Sequence, residues 1–451
     1  MSSYKAYTTR NIRKIPQLSA LSEQQLHEIE VVSHVLPFKT NNYVVEELID
    51  WENFQDDPMF ILNFPQREML KEKNFNHLSA LIKKNAPKDE IDNYVNHIRL
   101  RMNPHPAGQM EHNVPSMNGN RLNGIQHKYR ETLLFFPSQG QTCHAYCTFC
   151  FRWPQFSGMD NMKFGMKQTK LLIDYLKQNK EITDILFTGG DPMVMKASIL
   201  ARYVNAIIQA ELPQIKTIRI GTKSLSFWPY RFLTDPDSEE LLDVFRSITD
   251  AGIHLAIMSH FNHSKELSTH AVARASEKIL QTGAQIRTQS PLLRHINNSS
   301  EAWAEMWRKQ VDLGMIPYYM FIARNTGSHA YFGVNLNESL EIYKNAYQKV
   351  SGICRTARGP SMSSGPGKIH ITGTATINGE KVYVLNFIQG RVPEWVGQPF
   401  FAKYNPDALW IDDLEPAFGE KEFFYEKEYQ KLLKVDKLTD QSIMDEEAQI
   451  A

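Results

Sequence analysis

An alternation of strand-like and helix-like segments between residues 132 and 350 constrains the fold of this chain more than any other feature. Short apolar runs recur six times, and each is followed by a longer stretch with apolar residues at helical spacing. Such alternation is typical of a parallel sheet with helices packed on its outside, so we predict an α/β fold. The predicted strands are 132–137, 184–188, 217–221, 253–260, 285–293 and 316–324, and the helices are 167–180, a segment around 200–208, 237–251, 270–282, 300–313 and 335–350.

Polar residues and glycines lie where these predicted strands end. They are a cysteine-containing loop after residue 137, Gly189-Gly190-Asp191, Gly221-Thr222-Lys223, Ser259-His260, Gln289-Ser290 and Arg324-Asn325. In parallel barrels the carboxyl ends of the strands carry the active site. Core packing does not explain six such placements in series, so the pattern predicts one active site at that edge of the sheet.

Three cysteines lie in the first of these loops, at the spacing C-x3-C-x2-C. Cys143, Cys147 and Cys150 form the triplet, and Cys354 is the one other cysteine in the sequence. Three thiolates on one short loop suit three irons of a [4Fe–4S] cluster, which leaves the fourth iron open to a small molecule. A structural zinc site with His144 or Cys354 as fourth ligand is the alternative, although zinc ligands usually come as two separated pairs. A chance cluster of buried cysteines is a third interpretation.

Composition argues against several other classes of protein. The 451 residues are 42% hydrophobic, with 50 basic and 50 acidic side chains. This balance is that of an ordinary soluble enzyme and gives no argument for a nucleic acid or an anionic membrane as partner. No apolar run approaches the ~20 residues of a membrane helix, and the basic N-terminus lacks the apolar stretch of a secretory signal. Four cysteines, three of them in one loop, fit a reducing cytoplasm better than a disulfide framework.

We divide the chain into three parts: 1–125, a mainly helical accessory region; 126–350, the strand–helix region; and 351–451, a C-terminal region. A capping box at Ser22–Gln25 predicts the start of one N-terminal helix, and another helix is predicted over 76–101. Residues 102–124 are rich in Pro, Asn and Gly and predict an irregular linker. In the C-terminal region the dipeptide Asn378-Gly379 favours a β-hairpin.

The cysteine spacing resembles that of radical S-adenosylmethionine (SAM) enzymes, and the order of motifs from about 126 to 370 is similar to that of the lysine 2,3-aminomutase family. The shared motifs are the cysteine loop with Arg152, Gly189-Gly190-Asp191-Pro192, Ile218–Gly221, His260–His263, Gln289–Leu293, Pro317-Tyr318-Tyr319, Ser351–Cys354 and a glycine-containing run that ends in Lys368. The resemblance implies a partial (β/α)6 TIM-like barrel, with a [4Fe–4S] cluster, SAM and pyridoxal 5′-phosphate (PLP) as cofactors. It also implies a reducing partner of the flavodoxin or ferredoxin type. The implied reaction moves an amino group between carbons 2 and 3 of an amino acid, after a radical derived from SAM has removed a hydrogen.

The same resemblance assigns roles to individual residues. The cluster ligands would be Cys143, Cys147 and Cys150, and the SAM-binding residues would be Gly189, Gly190, Asp191, His260 and Gln289. Lys368 would hold PLP through its amine, and Arg152 would bind the substrate carboxylate through its planar fork. Each assignment has an ordinary structural alternative: a tight turn for the glycines, a satisfied buried histidine, a surface arginine, or a solvated lysine in a Gly/Pro loop.

The sequence departs from the lysine-specific members where the substrate side chain would lie. Those members bind the distal ammonium with two aspartates, whereas this chain has Arg324 at the first position and about Ser361 at the second. A cation there would repel an ammonium, so we predict that free lysine is not the substrate. Arg324 would instead receive a carboxylate and select an acidic amino acid such as glutamate. The alternative for Arg324 is a structural salt bridge.

Three further departures leave other functions open. The family's run of glycines is shortened to Ser363–Gly367, and a family arginine ahead of the first strand appears as Thr132, with Lys128 and Arg130 nearby. The family's C-terminal zinc cysteines are absent from this sequence, so we expect no structural zinc. The differing terminal regions would shape a substrate entrance or the subunit interface of a homo-oligomer. A PLP-independent radical enzyme (an epimerase, a dehydratase or a peptide-modifying enzyme) and a non-catalytic iron–sulfur protein are the competing functions.

Overall fold

The computed structural model describes residues 3–103, 113–157 and 164–434, and its largest sheet has eleven strands. Two small antiparallel sheets precede it: β1 (Ala6–Thr8) pairs with β2 (Lys39–Asn41), and β3 (Ser116–Met117) pairs with β4 (Asn120–Arg121). The strands of the large sheet lie in chain order from one edge to the other. They are β5 (Ile125–Tyr129), β6 (Thr132–Phe135), β7 (Asp184–Phe187), β8 (Thr217–Thr222), β9 (His254–His260), β10 (Gln285–Leu292), β11 (Ile316–Ile322), β12 (Arg358–Ser363), β13 (Gly367–Ile377), β14 (Glu380–Gly390) and β15 (Pro399–Lys403).

The N-terminal region is mainly helical. Its helices are α1 (Glu23–Val35), α2 (Pro58–Asn63), α3 (Glu72–Lys83) and α4 (Lys88–Met102). The capping box predicted at Ser22 is present, since the Ser22 hydroxyl and the Gln25 side chain each bond the other's backbone N–H. The single helix predicted over 76–101 is wrong, because Asn85, with a φ of 49°, and Pro87 interrupt it between α3 and α4. Of the predicted linker, residues 104–112 lie outside the described residues.

Strands β6 to β11 are parallel, and each pairs with the next one along the chain. Helices connect them on the outside, so the six predicted strand–helix units are confirmed. These helices are α5 (Trp153–Phe156), α6 (Thr169–Gln178), α7 (Ala197–Gln209), α8 (Ser224–Phe227), α9 (Ser238–Asp250), α10 (His270–Leu280), α11 (Ser300–Asp312), α12 (His329–Phe332) and α13 (Leu336–Gln348).

The sheet curls into a partial barrel. Its order places β5 and β12 seven positions apart. Yet the Lys128 Nζ atom on β5 donates a hydrogen bond of 2.6 Å to the Ser364 carbonyl just after β12, and the Lys368 Nζ atom on β13 lies 5.7 Å from the centroid of the Tyr129 ring. A flat sheet with strands about 4.8 Å apart would separate these side chains by more than 30 Å. The fold is therefore an open (β/α)6 barrel.

Along each strand, successive residues point in turn to the helices and to the barrel interior. In β8, Ile218 and Ile220 are fully buried in a core cluster that also contains Leu241 and Phe245 of α9. Arg219 and Gly221, between and after them, are only half-buried. Period-two alternation requires these residues to point to the opposite face, and so the polar residues of the parallel strands line the interior.

The N-terminal region covers the carboxyl ends of the barrel strands. Its core cluster of buried apolar residues, which includes Val32, Tyr43 and Leu62, continues into Trp153, Trp228 and other residues from loops that follow the strands. The N-terminal region therefore shares its core with the barrel, since its apolar side chains are buried against the barrel loops. We call residues 3–103 the N-terminal cap.

The C-terminal strands extend the barrel sheet without a break at residue 350. β11 pairs in parallel with β12, and β12 to β15 continue as antiparallel neighbours. The hairpin predicted at Asn378-Gly379 is confirmed between β13 and β14, with φ values of 52° and 85° that are typical of a two-residue type I′ turn. None of the helices in the described ranges is long and apolar enough to cross a membrane.

Candidate active site

The cysteine loop lies between β6 and α5, under the N-terminal cap. The Tyr146 N–H donates to the Lys39 carbonyl at 2.7 Å, and the Thr148 N–H donates to the Leu62 carbonyl at 2.9 Å. The three cysteines are half-buried and free of disulfides. Because backbone groups of the cap take up N–H donors of the loop, the loop's conformation is held by contacts more than 80 residues away in the chain.

The surroundings of the three thiols suit iron ligands. Burial raises the pKa of Cys150 to about 11 and raises the pKa values of Cys143 and Cys147 further. The negative charges of Asp191 and of the neighbouring thiolates add to the rise for Cys143. Thiolates so close together in a partly dry site need cations to neutralise them, which irons would supply.

The alternative zinc ligands do not join the triplet. His144 is buried and its Nδ1 atom lies 2.8 Å from the Ser224 hydroxyl, and burial lowers its pKa to about 3. Cys354 lies in the barrel core next to Ser351. Across the described ranges, no three His, Cys, Asp or Glu side chains are placed to surround a single metal ion. Cluster ligands each bind a different iron, so the arrangement fits a cluster better than one zinc.

The Gly189-Gly190-Asp191 turn after β7 packs directly on the cysteine loop. A Cβ on Gly190 would overlap the backbone of Thr142, and a Cβ on Gly189 would overlap the Gln141 side chain. Gly189 also has a φ of 137°, which disfavours any side chain. The glycines therefore let two backbones approach closely, beside the place where an open iron would lie.

The Asp191 carboxylate joins the turn after β7 to the loop after β8 through hydrogen bonds. It accepts hydrogen bonds of 2.7 and 2.9 Å from the Thr222 hydroxyl, 2.9 Å from the Met193 N–H, 2.9 Å from the Lys223 N–H and 3.0 Å from the Ser224 hydroxyl. The residue is 2% exposed, and burial raises its pKa. A carboxylate has about four acceptor sites, and these bonds fill them. The side chain is thus not available for an ammonium, and backbone carbonyls of the turn remain for that contact.

His260 and Gln289 lie side by side at the ends of β9 and β10, where they pair in register. The His260 ring stacks on Phe149 of the cysteine loop, with centroids 5.8 Å apart. Burial lowers the His260 pKa well below its usual range, and the charge of Lys223 adds to the effect. A neutral imidazole beside the cluster loop is placed to pack or accept a hydrogen bond rather than to carry charge.

Sequence reasoning assigned no role to the buried ion pair of Lys223 and Glu266. The Lys223 ammonium donates to the Glu266 carboxylate at 2.5 Å and to the side-chain oxygen of Asn262 at 2.9 Å. Glu266 has no exposed surface and also accepts a hydrogen bond from the Ser226 hydroxyl. The sequence did single out Lys223, as part of the Gly221-Thr222-Lys223 motif. Its partner Glu266 lies 43 residues further along the chain, so the ion pair could not be read from that motif.

Two arginines flank Phe151 inside the barrel. The guanidinium of Arg324 lies 4.3 Å from the centroid of the Phe151 ring, and that of Arg152 lies 5.2 Å from it and 4.7 Å from the Phe136 ring. Burial and the charge of Arg324 lower the pKa of Arg152 to about 10. Across 3–103, 113–157 and 164–434 neither arginine has an ion pair, so the salt bridge considered for Arg324 is not found.

Lys368 is not a solvated lysine. Its Nζ atom donates to the side-chain oxygen of Gln389 at 2.7 Å and lies 4.7 Å from the centroid of the Tyr319 ring. Burial, followed by the charges of Arg219 and Arg358, lowers its pKa to about 7. An amine with such a pKa is about half neutral near pH 7, and its neutral form is nucleophilic.

Ser361, which was expected to contact the substrate, lies within the sheet, and its substrate contact stays a prediction. Ser361 has no exposed surface, and its hydroxyl donates to the Met320 carbonyl of the neighbouring strand at 3.4 Å. The register of β12 against β11 places Ser361 opposite Phe321 within the sheet. The hydroxyl satisfies a backbone group instead of facing the interior.

The barrel interior carries an excess of positive charge, and we call it the cationic chamber. It contains Lys128, Arg152, Arg324, Arg358 and Lys368. The charges of Arg391, Arg324 and Lys368, with burial as the largest cause, lower the pKa of Lys128 well below its usual range. Asp184, which acts on Lys368 in the opposite direction, is itself paired with Arg219. Buried cations without counter-charges are costly, so the chamber is suited to anionic ligands.

Comparison with known proteins identifies the class. Residues 130–271 match the model of a "4Fe-4S single cluster domain". The chain is 29% identical over 403 residues to a protein of Aquifex aeolicus named "Putative L-lysine 2,3-aminomutase", a match that covers 89% of this chain and 94% of that protein. It is 24% identical to the L-lysine 2,3-aminomutase of Clostridium subterminale over 68% of this chain and 71% of that one. It is 26% identical to the glutamate 2,3-aminomutase of Clostridioides difficile over 57% and 58%.

With its cysteine triplet at the carboxyl edge of a partial (β/α)6 barrel, the protein is a radical SAM protein with a [4Fe–4S] cluster. Among solved structures, a radical SAM methyltransferase from Sphaerobacter thermophilus aligns over 53% of this chain and 68% of its own, with 14% identity and a TM-score of 0.36, and no argument rests on this likeness. The chain is similar over most of its length to members of the lysine 2,3-aminomutase family, from which it diverges in sequence. Aminomutases of this family use the cluster, SAM and PLP.

Proposed function

We propose that this protein is a PLP-dependent radical SAM 2,3-aminomutase whose substrate is an acidic amino acid such as glutamate. The observation that carries the proposal is the cationic chamber, in which Arg152 and Arg324 flank Phe151 near a buried lysine of lowered pKa. The chamber holds more positive charge than the described residues around it neutralise.

The cluster and SAM supply the radical that takes a hydrogen from the substrate. Cys143, Cys147 and Cys150 would hold the cluster, and backbone carbonyls at Gly189 and Gly190 would receive the SAM amino group. His260 and Gln289 contact SAM from the neighbouring strand ends. The N-terminal cap excludes water from this edge of the barrel, since its apolar core continues into the loops that follow the strands.

When bound, PLP would supply the double bond through which the amino group can move. Lys368 would hold it covalently through its amine, about half of which is neutral near pH 7 because of burial. Lys128, which donates to the Ser364 carbonyl at 2.6 Å, offers N–H donors to the phosphate beside the turn of 364–367. The rings of Tyr129 and Tyr319, 5.7 and 4.7 Å from the Lys368 Nζ atom, provide apolar walls for the pyridine ring.

The two arginines give the site its selectivity. Arg152 binds the carboxylate next to the reacting carbons, and Arg324 binds the distal carboxylate, each through a planar fork. A substrate with a distal ammonium would meet Arg324 and be repelled. The mutual repulsion of the two guanidiniums, which lowers the pKa of Arg152, is relieved when a dicarboxylate binds between them.

This chemistry requires a reducing electron donor of the flavodoxin or ferredoxin type. It also requires a reducing cytoplasm. The three cluster cysteines are half-buried and free of disulfides. A donor would have to reach that edge of the barrel past the N-terminal cap.

The test is anaerobic reconstitution with iron, sulfide and PLP, followed by acid release of bound PLP. We expect about one PLP per chain, lost in Lys368→Ala and retained in Lys128→Gln at reduced affinity. With SAM and a reductant, glutamate should be isomerised to its 3-amino isomer and lysine should not. Good turnover of lysine would contradict the substrate proposal, and SAM cleavage without bound PLP would indicate a different radical reaction on the same fold.

A further inference from the structure

The N-terminal cap reaches the cysteine loop with side chains as well as backbone. The Tyr4 hydroxyl donates to the His144 carbonyl at 2.7 Å, and the Asn41 side-chain amide donates to the same carbonyl at 3.3 Å. The Lys39 ammonium donates to the Cys143 carbonyl at 2.7 Å. Among these contacts, that of Lys39 is the one that also brings a charge.

Lys39 is attached to the loop at two points. Its backbone carbonyl accepts the Tyr146 N–H at 2.7 Å, and its ammonium bonds the Cys143 carbonyl while lying 5.8 Å from the centroid of the Tyr146 ring. The β1–β2 pairing anchors the backbone of Lys39 against Thr8 on the other side. The ammonium is thus held in place next to a cluster ligand rather than free to swing into solvent.

The positive charge of Lys39 has no paired carboxylate among residues 3–103, 113–157 and 164–434. No carboxylate forms an ion pair with it in the described parts of the chain, and burial lowers its pKa, opposed by the charge of Cys143. Lys223, the cation near Cys147 on the opposite side of the loop, differs because Glu266 neutralises it. A half-buried ammonium left unpaired is unfavourable unless an anion comes to it. A cluster with three thiolate ligands has a net charge of −1 when oxidised and −2 when reduced.

We propose that Lys39 is a positioning residue for the iron–sulfur cluster, whose fixed positive charge beside Cys143 favours the reduced form of the cluster. The hydrogen bond to the Cys143 carbonyl sets the distance, and the absence of a paired carboxylate leaves the charge to act on the cluster. Reduction adds one electron beside this charge, so the charge stabilises the reduced form more than the oxidised form. The proposal concerns the cluster alone and does not depend on the amino-acid substrate or on PLP.

The experiment measures the midpoint potential of the cluster by anaerobic redox titration followed by electron paramagnetic resonance, on the full chain with SAM absent. The variants are Lys39→Arg, which keeps the charge, Lys39→Gln, which keeps an N–H donor without charge, and Lys39→Met, which removes both. Lys5→Met is the matched control, because Lys5 is an exposed lysine close to Lys39 in the same small sheet region. Iron per chain is measured for each.

We expect Lys39→Gln and Lys39→Met to lower the potential alike, with Lys39→Arg and Lys5→Met unchanged. At a fixed poise the ratio of reduced to oxidised cluster should fall by about tenfold, the effect of a unit charge roughly 10 Å away at an effective dielectric of about 20. An unchanged potential in fully loaded Lys39→Gln would overturn the proposal. If Lys39→Gln and Lys39→Met both fail to retain iron, retention of iron by Lys39→Arg supports the role of the charge. Loss of iron from Lys39→Arg as well overturns the proposal.

Discussion

The lowered pKa of Lys368 predicts that its amine reacts at a pH where ordinary lysines do not. Burial is the largest cause and the charges of Arg219 and Arg358 add to it, for a pKa of about 7. At pH 7.5 about three quarters of such amines are neutral, against about one in a thousand for a lysine with the usual pKa near 10.4. The neutral fraction of the Lys368 amine at pH 7.5 is therefore several hundred-fold larger than that of an ordinary lysine.

The assay is competitive labelling of the PLP-free protein with short pulses of acetic anhydride between pH 5.5 and 11, read by mass spectrometry of peptides. Each lysine is normalised to its own plateau, so that accessibility cancels and the midpoint reports the pKa. Lys368 should reach half-reactivity near pH 7. The exposed Lys88, whose ion pair with Asp92 raises its pKa, serves as internal reference and should titrate at a higher pH than Lys368.

A second arm separates the causes of the shift. Arg358→Gln removes a positive charge and should move the Lys368 midpoint upward, because a neighbouring cation disfavours the protonated amine. The move should recover a minor part of the difference from 10.5, since burial is the larger cause. A Lys368 midpoint at or above pH 10 would refute the structural argument, and an unmoved midpoint in Arg358→Gln would refute its electrostatic part.

Three further outcomes are expected. Arg324→Gln should raise the KM for glutamate about 10- to 100-fold, the worth of a charge-assisted hydrogen bond, with PLP per chain unchanged; an unaltered KM would remove Arg324 from the site. Gly190→Ala should lower the iron content, because the added Cβ overlaps the Thr142 backbone, whereas Gly373→Ala, with open space around it, should load normally. In the cluster-free chain the free energy of unfolding should fall as the pH drops from about 6.5 towards 3, since His144 has a pKa of about 3 when folded and binds its proton in the unfolded chain. His144→Gln should flatten that fall in urea titrations, and an equally steep fall would show that other groups cause it.

The barrel could be predicted because its signals are local. Each of β6 to β11 is a short apolar run, and each helix between them shows apolar residues at helical spacing, so one window of sequence suffices for each element. The limits of these elements agree with prediction within a few residues, from Thr132–Phe135 to Leu336–Gln348. The break between α3 and α4 was missed although Pro87 marks it, because the apolar periodicity continues on both sides.

The site was predicted in part. The cysteine triplet and the glycine turn are contiguous motifs, and the structure brings them into direct contact; their ligand roles stay predictions. The burial of Ser361 within the sheet could not be predicted, because a single position counted from a family motif does not reveal which face of a strand it occupies. Lys39 and the Lys223–Glu266 pair were missed because their partners lie about 100 and 43 residues away, where no spacing rule applies.

The sequence by itself determined the order of elements, the edge of the sheet where polar residues gather and the three thiols that suit a cluster. Only the tertiary structure decided which cations are neutralised and which are not: Lys223 has Glu266, whereas Arg324 and Lys39 face the interior or the cluster loop without an ion pair to a carboxylate in the described residues. The physical reason is that periodicity and spacing are properties of neighbouring residues. The charge state of a side chain, in contrast, depends on burial and on groups that only folding brings near.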